Sequence, residues 1–386
     1  MQQNSRVFLI LFLGILSAFG PFVVDLYLPA LPQLSQFFNS STSMVQMTLT
    51  TGMLGLAVGQ LFFGPLSDKY GRRMPLLLAF IVYLLSTVLI VFSPNIETLI
   101  ALRLVQGFMA AAGVVISRAV VADLYHGQEM TRFFGALMTI NTLAPILSIV
   151  LGGVLLKWTD WRGLFVFLAL LGGAVLFATV RFRESLPVAK RLNVPVAASF
   201  AGLLSVMKNR NFMLFVLIEA FATTGMFAYI AASPFIFQSF YGLDSLTFSL
   251  IFASNGLALI VGTNIGGRLN NRLAVKLGVF GTLLSAVYLT VNLVTQSSVW
   301  LVEAGFLIQL FTLGLMLPAL SALAMDAERE QAGSASALLG FLMFVFGAVV
   351  SPLVGIGNIF IATSVAIVIG SLLALGCYAA VKHKIS

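Results

Sequence analysis

The stretch Gly64-Pro65-Leu66-Ser67-Asp68-Lys69-Tyr70-Gly71-Arg72-Arg73 puts four charged side chains within six positions, in a chain where 9% of residues are charged and 60% hydrophobic. It reads as a short, charged, glycine-punctuated turn between two apolar segments of helix length. A weaker copy, Gly267-Arg268-Leu269-Asn270-Asn271-Arg272, follows 203 residues later. Gly64, Leu66 and Lys69 align with Gly267, Leu269 and Arg272, while Asp68 has become Asn271. A motif and its decayed copy half a chain apart predict a membrane protein built by duplication.

Composition agrees. A mean hydropathy of +1.05 over 386 residues excludes an ordinary soluble domain, in which about 25% of residues are charged. A bilayer-crossing helix needs about 20 apolar residues, so twelve would use roughly 250 and leave about 11 for each connection. The apolar runs are too long and too unalternating for barrel strands, so the expected fold is an all-α membrane protein of twelve transmembrane helices in two pseudo-symmetric halves of six. The single cysteine, Cys377, lies in the last apolar run and allows no intramolecular disulfide. Arg6 followed by an apolar run resembles a secretory signal, but the run from Val7 to Val24 is too long for one and reads as a first, uncleaved span.

Apolar windows place the spans at 7–28, 46–66, 75–93, 98–120, 133–156, 163–181, 212–236, 247–267, 277–295, 300–324, 333–355 and 359–381. The longest polar stretch falls between the sixth and seventh, giving an N-terminal half over 1–181, a linker over 182–211 and a C-terminal half over 212–386. With the N-terminus inside, cytoplasmic segments collect 17 lysines and arginines and the opposite side only Lys157 and Arg162. The net charge of +8 is therefore a topology signal, with no nucleic-acid partner implied. It predicts both termini and the linker in the cytoplasm.

Ionisable residues inside the spans are functional hypotheses by default. Asp25 and Arg103 fall roughly 10 Å and roughly 9 Å outward of the middle of spans one and four. At matching depth they can pair, as a proton-coupling site whose aspartate takes up a proton when the pair opens, or as an ion pair locking two helices. Glu219, in span seven, either carries a proton or a cationic compound or lies near the cytoplasmic surface. Glu303, three residues after Trp300, reads as interfacial. Asn141, Asn255, Asn264 and Gln309 are uncharged mid-span groups suited to helix–helix hydrogen bonds or substrate contact.

Several of these residues sit in longer matches. The decapeptide resembles the signature between helices 2 and 3 of the major facilitator superfamily. Asp25-Leu26-Tyr27-Leu28-Pro29-Ala30-Leu31-Pro32 resembles the end of helix one in Bcr/CflA-type drug:proton antiporters, the bicyclomycin, sulfonamide and phenicol exporters. Arg103-Leu104-Val105-Gln106-Gly107 and Asp123-Leu124-Tyr125 match the group's R-x-x-Q-G and D-x-Y, and Glu184-Ser185-Leu186-Pro187 its boundary after helix six. The antiporter signature of helix five, G-P followed by G-G, is Ala144-Pro145 and Gly152-Gly153 here, with alanine in place of the first glycine.

The resemblance implies secondary active efflux of small, largely hydrophobic compounds in exchange for protons, by a monomer in the bacterial inner membrane with no cofactor. It gives Arg103 a part in proton transfer. It also implies a cytoplasmic latch of Gly64, Asp68, Gly71, Arg72 and Asp123, with Asp68 facing a helix start near Gly333 and Arg72 reaching Asp123. The alternative for the charged turn is topology enforcement alone. Tyr27, Gln106, Asn141, Phe227, Tyr229 and Asn255 are candidates for lining a substrate cavity. A proton-coupled exporter or importer of a metabolite such as an amino acid or nucleoside is the second reading. Catalysis is disfavoured: the only histidines are His126 and His383, and neither an H-E-x-x-H nor a phosphate-binding G-x-x-x-x-G-K-[ST] occurs. The charged turn and its copy, with polar groups inside spans of both halves, disfavour a channel or a purely structural membrane protein.

Overall fold

The structure, a computed structural model, describes residues 5–125, 127–191, 200–328 and 332–384. They form α1 (Arg6–Asp25), α2 (Leu31–Phe37), α3 (Thr42–Tyr70), α4 (Arg73–Val91), α5 (Ile96–Leu124), α6 (Gly127–Leu155) and α7 (Trp161–Arg181). After these come α8 (Phe200–Met207), α9 (Arg210–Ser233), α10 (Ser245–Gly266), α11 (Asn271–Val294), α12 (Val299–Ala327), α13 (Ala332–Leu353) and α14 (Ile359–Val381). Among the described residues twelve helical segments are long and apolar enough to cross a membrane, and there is no strand. The first joins α1 and α2 through one tight turn at Leu28–Ala30, and the seventh continues α9 through the wide turns of Pro234–Phe240.

The helices outrun the apolar windows. The helices α3, α5, α6 and α12 each have 29 residues, about 44 Å at 1.5 Å per residue against a hydrocarbon core of about 30 Å. Polar caps explain the extension, because hydropathy marks the apolar middle and not the hydrogen-bonded end. Asn95, for instance, accepts from the Thr98 N–H at 2.8 Å and starts α5 before its apolar run begins.

The charged decapeptide is mostly helix and not turn. The segment Gly64–Tyr70 forms the last turns of α3, with Pro65 inside it, and only Gly71 and Arg72 separate α3 from α4. Gly71 has a φ of +89°, the left-handed conformation that ends a helix cheaply only at glycine. A Cβ there would also stand 2.6 Å from Glu184 Oε2. Gly64 has only Val115 Cγ1 at 3.8 Å, so nothing around it demands a glycine.

The chain divides into two compact units: Met1–Gln33 with Thr51–Ser199, and Leu34–Thr50 with Phe200–Ser386. The start of α3 therefore belongs to the second unit, where Gln46 Nε2 donates to the Ala231 carbonyl at 2.8 Å and Ser43 Oγ to that of Pro352 at 3.0 Å. The stretch read as a linker begins inside the first unit, since Phe182, Ser185 and Leu186 are buried. Its end carries α8.

Both units use glycine to bring two helices together. In the first, a Cβ on Gly55, Gly59 or Gly107 would strike the backbone oxygen of Leu104, Phe108 or Gly52, so α3 and α5 touch main chain to main chain. In the second, Gly262, Gly266 and Gly314 stand in the same way against Phe311, Leu315 and Leu259, joining α10 to α12. The 203-residue offset of the two charged motifs carries Gly59 onto Gly262.

Candidate functional site

In the first unit the unusual group is Arg103, a guanidinium at 0% exposure inside a helical bundle. Gly52 on α3 makes room for it, since a Cβ there would lie 2.8 Å from Nη2. Nη1 donates to Gln106 Oε1 at 2.5 Å, and Gln106 Nε2 donates to Thr87 Oγ1 at 2.9 Å, tying α5 to α4. The guanidinium carbon lies 4.3 Å from the centre of the Tyr27 ring, with Phe165 beyond at 5.8 Å. A desolvated cation over an aromatic face gains about 2 kcal/mol. Tyr27 and Gln106, expected to line a cavity, are fully buried and hold Arg103.

Asp25 is the last residue of α1 and 7% exposed. The structure does not pair it with Arg103: among the described residues no ion pair joins them. The helix ends at Asp25, and the turn that follows places Tyr27, two residues on, against the guanidinium. The glycine signature of α6 reaches this same end of α1. A Cβ on Gly152 would strike the Leu26 carbonyl oxygen, so that glycine is required by close approach; Gly153 beside it is buried. Pro145 lies inside α6, one turn after Asn141, whose Nδ2 donates to Ser17 Oγ at 2.5 Å and ties α6 to the middle of α1.

The charged motif builds a second polar cluster in this unit. Arg72 donates through Nε to Asp123 Oδ2 at 2.9 Å and through Nη2 to Oδ1 at 3.1 Å, a two-pronged pairing. Its Nη1 donates to Ser67 Oγ at 2.8 Å and to Asp68 Oδ1 at 2.5 Å. Burial draws the Arg72 pKa down, but hydrogen bonds and charge from Asp123 and Asp68 outweigh it and leave the pKa raised. Asp68 thus faces Arg72. Its other expected partner, the helix start near Gly333, adjoins residues outside the described ones.

Sequence reading missed the share of Glu184 and Ser185 in this cluster. Glu184 accepts from the N–H groups of Arg72 at 2.8 Å and Arg73 at 3.1 Å, capping the open start of α4, and Ser185 Oγ donates to Asp123 Oδ2 at 2.8 Å. Glu-Ser starting three residues past a helix that ends in arginine was the available signal.

In the second unit Glu219 is 2% exposed on α9, and Ser321 Oγ on α12 lies 3.1 Å and 3.2 Å from its two oxygens. Phe227 is buried with its ring 6.4 Å from that of Phe344, and the Tyr229 ring stacks on Phe252 at 5.2 Å and lies 4.7 Å from Phe306. Asn255 Nδ2 lies 3.0 Å from the Tyr229 hydroxyl and 2.6 Å from Glu303 Oε1. Glu303, read as interfacial, lies near the start of α12 and is buried against its neighbours at 5% exposure. Trp300 beside it is exposed, and one helical turn carries the chain from that surface to the interior.

Two apolar grooves, of about 490 Å³ beside Thr224, Val350, Asn358, Ile361 and Val365 and about 280 Å³ beside Ile10, Gly14, Ile140 and Leu171, include none of the six cavity candidates.

Set side by side, the two units share a plan. The 203-residue offset carries Gln106 onto Gln309, and Gln309 Oε1 accepts from Ser285 Oγ on α11 as Gln106 bonds Thr87 on α4. It carries Gly52 onto Asn255 and Arg103 onto Phe306. A tyrosine near the first membrane helix of each unit thus meets the same position of the fourth: Tyr27 meets Arg103, and Tyr229 meets Phe306.

Residues 8–352 match the family model of the Major Facilitator Superfamily. An uncharacterized MFS-type transporter of Bacillus subtilis is 39% identical, covering 92% of this chain and 90% of that protein. A bicyclomycin resistance protein homolog of Haemophilus influenzae is 30% identical over the same shares. Among solved structures, a bacterial homolog of the human lysosomal transporter Spinster, inward-facing and unoccupied, superposes with a TM-score of 0.80 at 14% identity, covering 99% of this chain and 98% of that one.

Proposed function

The chain belongs to the major facilitator superfamily, and from that premise we propose that it exports small, largely hydrophobic compounds in exchange for protons by alternating access. The observation that carries the reading is Asp25: a buried carboxyl at the end of α1, with no basic group bridging it among the described residues, between the close contact of Gly152 and the Tyr27–Arg103 stack. An acid so placed is costly to keep charged in a dry site and cheap to neutralise with a proton. Arg103, held by Gln106 and Tyr27, is a fixed positive charge in the same unit. Glu219 is the rival carrier in the second unit. The named activity of the bicyclomycin relative supports an antibiotic as cargo.

In this reading the multi-pass chain sits in a bacterial inner membrane with both termini inside. The Arg72–Asp123–Asp68 cluster, with Gly71 as its hinge, holds the cytoplasmic ends of α3, α4 and α5 together as part of the latch. The test is purified protein in liposomes with an imposed pH gradient, using bicyclomycin and chloramphenicol as probes. Gradient-driven movement that collapses with a protonophore, and is lost in Asp25→Asn, is the expected result. Movement indifferent to the gradient would overturn proton exchange.

A further inference from the structure

We infer that Glu303 is a second proton-binding site, built into the C-terminal unit by Asn255, Ser254 and Tyr229. The inference deepens the proton-coupled reading above and rests on it for its role in transport, though not for the site itself.

Four side chains from three helices converge here: Tyr229 from α9, Ser254 and Asn255 from α10, Glu303 from α12. The hydrogens available do not satisfy an ionised carboxylate. Ser254 has one hydroxyl hydrogen and two acceptors, the Ile251 carbonyl at 2.7 Å and Glu303 Oε1 at 3.2 Å. Asn255 Nδ2 has two hydrogens and three neighbours, Tyr229 Oη at 3.0 Å, the Ile251 carbonyl at 3.1 Å and Glu303 Oε1 at 2.6 Å. Glu303 Oε2, buried like the rest, has no hydrogen-bond partner. Half of a charged carboxylate is thus left bare in the interior of a membrane protein.

One added proton resolves the count. On Oε1 it donates to Ser254 Oγ, which gives its own hydrogen to the Ile251 carbonyl, and Asn255 is left with one hydrogen for Oε1 at 2.6 Å and one for Tyr229. The bare Oε2 then belongs to a neutral acid, a far smaller desolvation cost than half an anion. When the proton departs, Ser254 turns its hydroxyl hydrogen back to Oε1. Both states are served by moving hydrogens and not heavy atoms, which is what a site that loads and unloads a proton needs.

The surroundings favour a proton over other neutralisers. Among the described residues no lysine or arginine pairs with Glu303. The titratable group facing it is Tyr229 on α9; α10 contributes only neutral Ser254 and Asn255. Of the oxygens on these four side chains, only Glu303 Oε2 and Asn255 Oδ1 lack partners, far short of the six or so that a bare metal cation gathers.

The repeat explains the location. In the first unit Gly52 leaves space for Arg103; at the matching position Asn255 fills the space, Phe306 replaces the arginine, and the acid enters one turn earlier on the same helix. One plan thus carries a fixed cation in one unit and a titratable acid in the other.

The test is infrared spectroscopy of the purified full chain in lipid nanodiscs, titrated with acid and base in H2O and D2O. A carbonyl band of a protonated carboxyl, shifted by D2O, should disappear in Glu303→Gln and move in Asn255→Ala. It should persist in the double variant Asp25→Asn/Glu219→Gln, which keeps the test decisive if Glu303→Gln does not fold. A Glu303→Gln spectrum identical to that of the parent would overturn the site, as would absence of the band from the double variant. Loss of the band on adding sodium at constant pH would overturn it in favour of a metal cation. Liposomes that fail to couple transport to a pH gradient, with the band intact, would refute the transport reading and leave the site standing.

Discussion

The guanidinium of Arg103 lies 4.3 Å from the centre of the Tyr27 ring, so the charged group of the fourth membrane segment rests on an aromatic two residues beyond the acid that ends α1. Tyr27→Phe keeps that face and should retain most transport. Tyr27→Leu removes it, costs about 2 kcal/mol of cation–π attraction in a dry site, and should lower the initial export rate at least about tenfold. Arg103→Lys, which loses the planar fork, should resemble Tyr27→Leu. Liposome flux measurements decide, and equal rates in all three variants would remove Arg103 from the mechanism.

The proposed proton coupling predicts different outcomes in the two units. Asp25→Asn should bind substrate yet show no uphill export under a pH gradient, because the side chain keeps its shape and loses its titration. Glu219→Gln should retain gradient-driven export. The reverse pattern would assign the transported proton to α9.

The Arg72 cluster has a different readout. Arg72→Lys breaks the two-pronged contact with Asp123 and should lower stability in detergent by about 1.5–3 kcal/mol, the range for hydrogen bonds to charged groups. Asp123→Asn should cost a similar amount, since Ser185 loses its charged acceptor too. Asn271→Asp, in the decayed copy, should change little. Thermal unfolding followed by tryptophan fluorescence reports all three.

Glycine spacing makes a prediction about packing alone. Gly107→Ala drives a methyl into the Gly52 carbonyl, where backbone cannot give way, and should destabilise by about 1–3 kcal/mol or more. Gly173→Ala, with nothing within 4 Å, should be neutral or slightly stabilising. Similar melting points for both variants would contradict the backbone contact of α3 with α5.

Orientation is tested by labelling. With Cys377 replaced by serine, cysteines at Thr159 and at Asn193, which lies outside the described residues, should react with impermeant reagents from opposite faces. Labelling of both from outside would reverse the assignment of the loops.

The sequence by itself determined the spans, the repeat and the elements that bear charge, because these depend on local quantities. Apolar length follows from bilayer thickness. It also pointed to Arg72 and Asp123 as partners, through a family resemblance, and the geometry brings them together. What only the tertiary structure decided is which buried group meets which. Asp25 and Arg103 share a depth, yet depth fixes only one coordinate, and the turn after α1 interposes Tyr27. Glu303 follows exposed Trp300 by one helical turn, and its burial is set by packing against α9 and α10. Hydropathy along the chain measures how deep a residue lies and carries no record of the direction in which it points.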